Sequence, residues 1–233
     1  MDFWLETDSS FLNCRLRVVN ETSEVVPMYW WSNIAVPEYE NGRVIVPAKK
    51  AYTHTNKIVH KVDIPVVNGI DVTDYKKIPF SVDYFFELDK QEPKYIANIN
   101  EEGYGLLHYS TERLCSRKLF SWGNNSASDH WQDFLTENAG RYLEIQAGLG
   151  KTQYGCIPMA PNTTWEWMER FGPVEHIYNG ETQITSILRD SSAVQYLEEK
   201  LKSTKKLALQ KAELLESGSG YGILGQIGKR TSH

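Results

Sequence analysis

Residues 11–20 read Phe-Leu-Asn-Cys-Arg-Leu-Arg-Val-Val-Asn. In an extended chain Leu12, Cys14, Leu16 and Val18 fall on one face and Asn13, Arg15 and Arg17 on the other. That alternation predicts a half-buried strand. The polar cluster from Asn20 to Glu24 is a turn, and a second apolar stretch follows over 25–36, closed by Pro37. A short strand over 43–46 ends at Pro47. Further short strands are predicted over 82–88, 95–99, 105–110, 118–122, 142–147 and 164–171. Short strands recurring between turns are the rhythm of an all-β sandwich or barrel. Residues 50–79 are mostly polar, with turn signals at Asn68-Gly69 and Ile78-Pro79, and read as a long excursion with little regular structure. A short helix is predicted over 129–139. Asp129 would cap it, Trp131, Phe134 and Leu135 share a face, and Gly140 would end it.

At residue 190 the pattern changes. Asp190-Ser191-Ser192 is an N-cap cluster. Apolar residues then recur at Val194, Leu197, Leu201, Ala208, Ala212 and Leu215 with Lys and Glu between, the signature of one or two amphipathic helices. The expected organisation is a β-sandwich over 1–180, a helical extension over 181–217 and a Gly-rich tail over 218–233. The chain has 233 residues and a net charge of −5. Its Lys and Arg are not clustered, which argues against nucleic acid or an anionic membrane as partner. No apolar run is long enough to span a bilayer. The N-terminal residues lack the basic-then-apolar order of a secretory signal. Cys14, Cys115 and Cys156 are widely spaced and cannot all pair within the chain, so the expectation is reduced thiols and a cytoplasmic location. No two histidines share a ligand spacing, so neither a metal nor another cofactor is expected.

Two phosphate-site look-alikes fail. Gly148-Leu149-Gly150-Lys151-Thr152 lacks the required earlier glycine, because position 145 is Ile. Gly218-Ser219-Gly220-Tyr221-Gly222 follows a helix rather than a strand and reads as a C-cap and linker. The informative segment is 141–148. In a strand, Leu143 and Ile145 point one way while Glu144 and Gln146 point the other, beside Tyr142. A carboxylate next to an amide can take a proton and orient a hydroxyl. The same pattern also describes a plain solvated strand face.

Leu143-Glu144-Ile145-Gln146 resembles the Leu-Glu-x-Gln strand of galactose mutarotases, whose Glu takes the anomeric hydroxyl proton. Val18 to Thr22 followed by Tyr29 to Ile34 resembles their strand, Asn, turn and aromatic-rich pattern. Tyr29 stands where that pattern has a catalytic His, so the mutarotase acid is absent. The runs Tyr29 to Glu38, Asp83-Tyr84-Phe85-Phe86, Gly103-Tyr104-Gly105, Lys118 to Gly123 and Leu143 to Gln153 resemble a bacterial family known only as domain of unknown function 5107. The resemblance implies a mainly β, mutarotase-like supersandwich followed by tetratricopeptide-like helices. It also implies that this chain lacks the N-terminal half of the sandwich, that a further polypeptide segment completes it, and that the tail leads on into more helices.

The implied activity is carbohydrate-directed, with glycoside hydrolysis first. A non-catalytic sugar-binding module and an aldose epimerase with a relocated acid are the alternatives. Glu144 is then base or nucleophile and His54 the acid. Gln146, Trp122, Trp31, Asn33, Gln153 and Tyr84 are expected to hold a sugar or oligosaccharide. Trp30 and Trp31 point to opposite faces, so at most one lines a groove. Trp122 and Trp131 form a sugar platform or are core. Glu38, Asp83 and Glu87 are candidate second carboxylates, and His60 and His108 further candidate acids.

Overall fold

The computed structural model describes residues 1–137, 139–190, 192–211 and 213. The strands of its first half are β1 (Asp2–Leu5), β2 (Leu12–Asn20), β3 (Val26–Met28), β4 (Trp31–Pro37), β5 (Arg43–Ile45), β6 (Ala48–Thr55), β7 (Ile58–Asp63), β8 (Val66–Val67) and β9 (Ile70–Asp71). Those of the second half are β10 (Val82–Leu88), β11 (Lys94–Ile99), β12 (Gly105–Ser110), β13 (Ser116–Ser121), β14 (Tyr142–Gly148), β15 (Ile157–Met159) and β16 (Thr163–Val174). The helices are α1 (Ser126–Thr136), α2 (Gly180–Asp190), α3 (Ala193–Ser203) and α4 (Lys205–Ala208).

Two six-stranded sheets face each other. The first runs β1-β2-β16-β12-β11-β5 and the second β4-β14-β13-β10-β6-β7. Every pairing within them is antiparallel. Between the sheets lies a core of Val36, Val44, Phe86, Ile96, Leu119, Leu143 and Ile145. It continues into Leu16, Ala147 and Trp167 at the β2–β16 side. The first sheet is also covered on its outer face. There Tyr95, Ala97, Leu107 and Met168 pack with Ile184 and Leu188 of α2 and Leu197 of α3. Ile184, Leu188 and Leu197, each buried to 2% exposure or less, contribute about 1.5–3 kcal/mol apiece.

This second cover changes several expectations. β11 is buried throughout. In β2, Asn13 and Arg15 are both fully buried, so the strand is not half-solvated. Arg15 is held by Glu166 at 2.8 Å. The helices begin with α2 at Gly180, although the amphipathic pattern is readable only from residue 190, because α2 carries few apolar residues and its match to a helical period is short. α2 and α3 belong to a first compact unit, Met1–Ser203. The second unit begins at Thr204, and its described part contains α4. Ser191 of the expected cap cluster, Ala212 and Leu215 of the amphipathic pattern, residues 214–217 at the end of the expected extension and the tail 218–233 lie outside the described residues.

Residues 50–79 are not an irregular excursion. They form most of β6, then β7, β8, β9 and a turn of 3₁₀ helix at Tyr75–Lys77. The turn between β6 and β7 is Asn56-Lys57, with φ of 51° and 65°. Two left-handed central residues are what a tight hairpin with right-twisted strands requires. The strands escape a hydrophobic-pattern reading because β7 is an edge with five of its six residues exposed. α1 is capped by Asn125, whose side chain accepts the Ser128 N–H at 3.0 Å. It is not capped by Asp129, and it ends at a left-handed Glu137 rather than at Gly140. Among the described residues no helix is long and apolar enough to cross a membrane.

Candidate functional site

The inner face of the second sheet is core; α2 and α3 cover the first sheet, not this one. Its other face collects the polar residues. Directly opposed residues in neighbouring strands share a face. The register therefore sets one row, Asn33, Gln146, Lys118, Phe85 and Tyr52, across β4, β14, β13, β10 and β6. The next row is Ala35, Glu144, Phe120 and Asp83.

A hydrogen-bonded chain runs through these rows. Asn33 Nδ2 donates to Glu144 Oε2 at 2.7 Å, and Gln146 Nε2 donates to the same oxygen at 2.9 Å. Gln153 Nε2 donates to Gln146 Oε1 at 2.7 Å, and Lys118 Nζ donates to Gln153 Oε1 at 2.7 Å. Lys118 also pairs with Asp83 Oδ1 at 2.7 Å. Its ammonium sits 5.1 Å from the centre of the Phe85 ring and 5.7 Å from that of Phe120, a favourable placement for a cation over a π face. Two carboxylates, Glu144 and Asp83, thus share one face and are joined through one lysine and two amides.

Aromatic rings border this chain on both sides. Trp31 packs edge-on against Phe85 at 5.6 Å, and Phe85 against Tyr154 at 5.4 Å. The Tyr154 hydroxyl bonds His54 Nδ1 at 2.8 Å. Burial, and then the Asp83 carboxylate beside it, pushes the Tyr154 hydroxyl above its ordinary pKa. On the other side Phe120 meets Trp122 at 5.0 Å, and Trp122 meets Tyr142 at 5.9 Å.

Glu144, Gln146, Asn33, Gln153, Trp31, Trp122 and His54 therefore lie on one face, either in this chain or in the ring contacts beside it. His54 reaches it from a regular strand rather than from a loop. Tyr84 does not belong to it. It is 7% exposed and packs in the core between the sheets. Adjacent strand residues point to opposite faces, so Asp83 and Phe85 take the positions expected of Tyr84. Trp30 packs against Trp167 in the core at 5.6 Å.

The other candidates separate clearly. Glu38 is tied to Arg141 at 2.6 Å with its side chain 3% exposed, a structural pin. Glu87 is held by Lys61 and Tyr52, and the Lys61 contact keeps its carboxyl below the usual range. His60 pairs with Thr53 and so faces away from His54. His108 is buried against Glu169 and stacked on Phe171, which removes it from the candidate acids. Lys118, Tyr154 and Phe120 were not predicted as site residues. The signal for Lys118 was available, a lone charge on the outward parity of an apolar strand, as was Asp83 at the matching parity of β10. Among the described residues no cluster of three or more His, Cys, Asp or Glu is placed to hold a metal.

Solved structures share this architecture. A galactose mutarotase-like protein from Clostridium acetobutylicum superposes with a TM-score of 0.51 at 12% identity, over 70% of this chain and 52% of that one. A galactose mutarotase-like protein from Lactobacillus casei gives 0.51 at 9% identity, over 74% and 61%. A TPR-domain containing protein from Parabacteroides distasonis gives 0.62 at 21% identity, over 76% of this chain and 30% of that one. The chain thus spans between 30% and 61% of the length of these proteins. The fold is mainly β and galactose mutarotase-like, with a few C-terminal helices. Within that class the chain belongs to the family described as a domain of unknown function, DUF5107, whose sequence profile matches residues 1–164.

Proposed function

We propose that the open face of the second sheet binds a sugar and that Glu144 acts on it as base or nucleophile in glycoside hydrolase-like chemistry. One observation carries the reading. Both amide donors converge on Glu144 Oε2, which fixes the carboxylate and leaves Oε1 for a ligand hydroxyl or a water. A side chain held in one geometry before the ligand arrives has already lost the freedom that binding would otherwise cost. Trp122 and Tyr142 flank the carboxylate and offer ring surface to the apolar face of a sugar. His54, expected from the sequence to be the acid, stands three strands from Glu144, about 14 Å away at roughly 4.8 Å per strand. That is too far to protonate the oxygen of a bond Glu144 attacks, so His54, fixed by Tyr154, is proposed as a ligand contact. Two of the structural relatives are named for galactose mutarotase, which supports a sugar as the ligand class. The described cysteines are unpaired, in keeping with a cytoplasmic, reducing location.

The test is Glu144→Gln, assayed against a panel of glycosides with binding measured in parallel. Turnover is expected to vanish while sugar binding persists. Unchanged turnover overturns the assignment. A second reading, a non-catalytic sugar-binding module, is favoured by Tyr29 at the position where the mutarotase pattern has its acid. It predicts that Trp122→Ala weakens binding while no sugar is converted. Anomer exchange followed by NMR would instead identify an epimerase.

A further inference from the structure

α1 sits on the sheet with its polarity inverted. Its buried residues are Ser128 and Gln132. Ser128 Oγ donates to the Trp122 carbonyl at 2.5 Å, and Gln132 Oε1 accepts the Tyr142 N–H at 2.8 Å. Asp129 pairs with Arg141. The large apolar residues of the helix face out: Trp131 is 55% exposed, Phe134 73% and Leu135 49%. Trp131 and Phe134 touch edge to face at 6.1 Å. Beside the N-terminus of the helix, where Asn125 donates to the Pro79 carbonyl, Phe80 is 71% exposed. An amphipathic helix normally buries its apolar stripe. Here the stripe is turned to the surface and the polar side chains make the attachments.

Those attachments say what the stripe serves. They all go to residues that carry or border the aromatic pair beside Glu144, namely Trp122, Arg141 and Tyr142. The open face is also long. From Tyr142 to Gly148, which lies under Trp31, β14 spans six residue steps, or about 20 Å at roughly 3.4 Å per residue. That exceeds any single sugar ring. Rings occur along the whole track: Trp31 at one end, Phe120 beside Glu144, and Trp122 with Tyr142 at the other. α1 begins where this track leaves the sheet.

We propose that Trp131, with Phe134 and Leu135 beside it, is an outlying subsite that stacks on a sugar unit beyond the Trp122–Tyr142 pair, so that the ligand is an oligosaccharide rather than a monosaccharide. The inference rests on the sugar-binding reading above and specifies its substrate class. Mixed aromatic and polar lining suits this ligand. His130 and Asp133 lie between the apolar residues on α1 and are exposed, ready to bond ring hydroxyls.

The experiment is isothermal titration of the full chain with glucose-, galactose- and mannose-based series of one to six units. Wild type is compared with Trp131→Ala and Phe134→Ala. Affinity in one series is expected to rise between one and four units. Trp131→Ala should lower affinity for the four-unit ligand about tenfold and leave any binding of the single sugar unchanged. Thermal midpoints should match wild type, since both side chains are exposed. Equal affinity for one and six units, or a four-unit affinity untouched by Trp131→Ala, overturns the subsite while leaving sugar binding standing. Binding by no member of any series overturns both.

Discussion

Lys118 and Asp83 meet at 2.7 Å, on adjacent strands, with side chains 6% and 20% exposed. The lysine also donates to Gln153, which holds Gln146, which holds Glu144. Replacing Lys118 with Met keeps the aliphatic stem and removes the charge. It leaves the Asp83 carboxylate without its cation and Gln153 without its donor. A charged hydrogen bond of this kind is worth about 1.5–3 kcal/mol, so urea denaturation should report a loss of about 2 kcal/mol. Asp83→Asn in the same background should recover part of it, because the uncompensated charge is then gone. A Lys118→Met protein as stable as wild type would remove the pair from any structural role.

Asn33 is exposed and its visible task is to hold Glu144. Asn33→Ala should change stability by no more than about 0.5 kcal/mol, as surface substitutions do. Turnover should fall about tenfold as the carboxylate loses one of its two fixed bonds, with KM nearly unchanged. A variant with a raised KM and unchanged kcat would make Asn33 a ligand contact instead.

Gly148 lies opposite Trp31, and a methyl group there would run into the Trp31 indole. Gly148→Ala should push that ring off Phe85. Because Trp31 is only half-buried it has room to move, so stability should fall by about 1 kcal/mol, the low end of overpacking costs. Near-UV circular dichroism should register the displaced indole, and sugar affinity should drop. An unchanged aromatic spectrum would mean that the strand, and not the ring, gives way.

Stability should decline with acid over two pH windows traceable to one buried pair. Burial holds His108 below its ordinary pKa, outweighing the Glu169 hydrogen bond that favours its charged form. Burial pushes Glu169 up, but hydrogen bonds from His108, Ser32 and Trp167 outweigh it and hold the carboxyl below its ordinary value. Both groups therefore bind protons more readily when unfolded, and each contributes stability that is lost as pH falls. The His108 contribution is complete above about 6.5 and declines below it. The Glu169 contribution declines below about 4.5, the usual glutamate value. His108→Gln keeps a donor for Glu169 but cannot titrate. Its stability should be flat between pH 7 and 5 where that of wild type slopes. A slope of wild-type size in the variant would assign the upper window elsewhere.

The strands that enclose the core were legible because burial on one side imposes a two-residue alternation. β10 and β12 fall on their predicted residues. β7 was hidden because, as the edge, it is exposed on both faces, and β6 because its buried positions are only Ala51 and Thr53; the hairpin closes through Asn56-Lys57, without the glycine that usually announces such a turn. The Glu144–Gln146 pair was visible as adjacent parity on one strand. Its extension to Lys118 was not, because Gln153 and Lys118 are 35 residues apart and only the sheet register joins them. Tyr84 shows how narrow the margin is. A shift of one position in a strand exchanges a core residue for a surface one. In α1 the periodicity was readable, but which side of the helix is buried is set by Ser128 and Gln132 meeting strand ends that no local pattern describes.

The separation of the second sheet into two faces bears on how such a protein changes over time. Asn33, Gln146, Lys118, Phe85 and Tyr52 alternate with neighbours that belong mostly to the core. Phe85, Gln146 and Lys118 are buried and hold the face together, while Asn33 and Tyr52 reach its surface; a substitution at either of these two alters what the surface recognises without opening the core. The scaffold can thus be inherited while its selectivity drifts. A library randomised at Asn33 and Tyr52 alone should yield folded variants at high frequency, with preferences that diverge from one clone to the next.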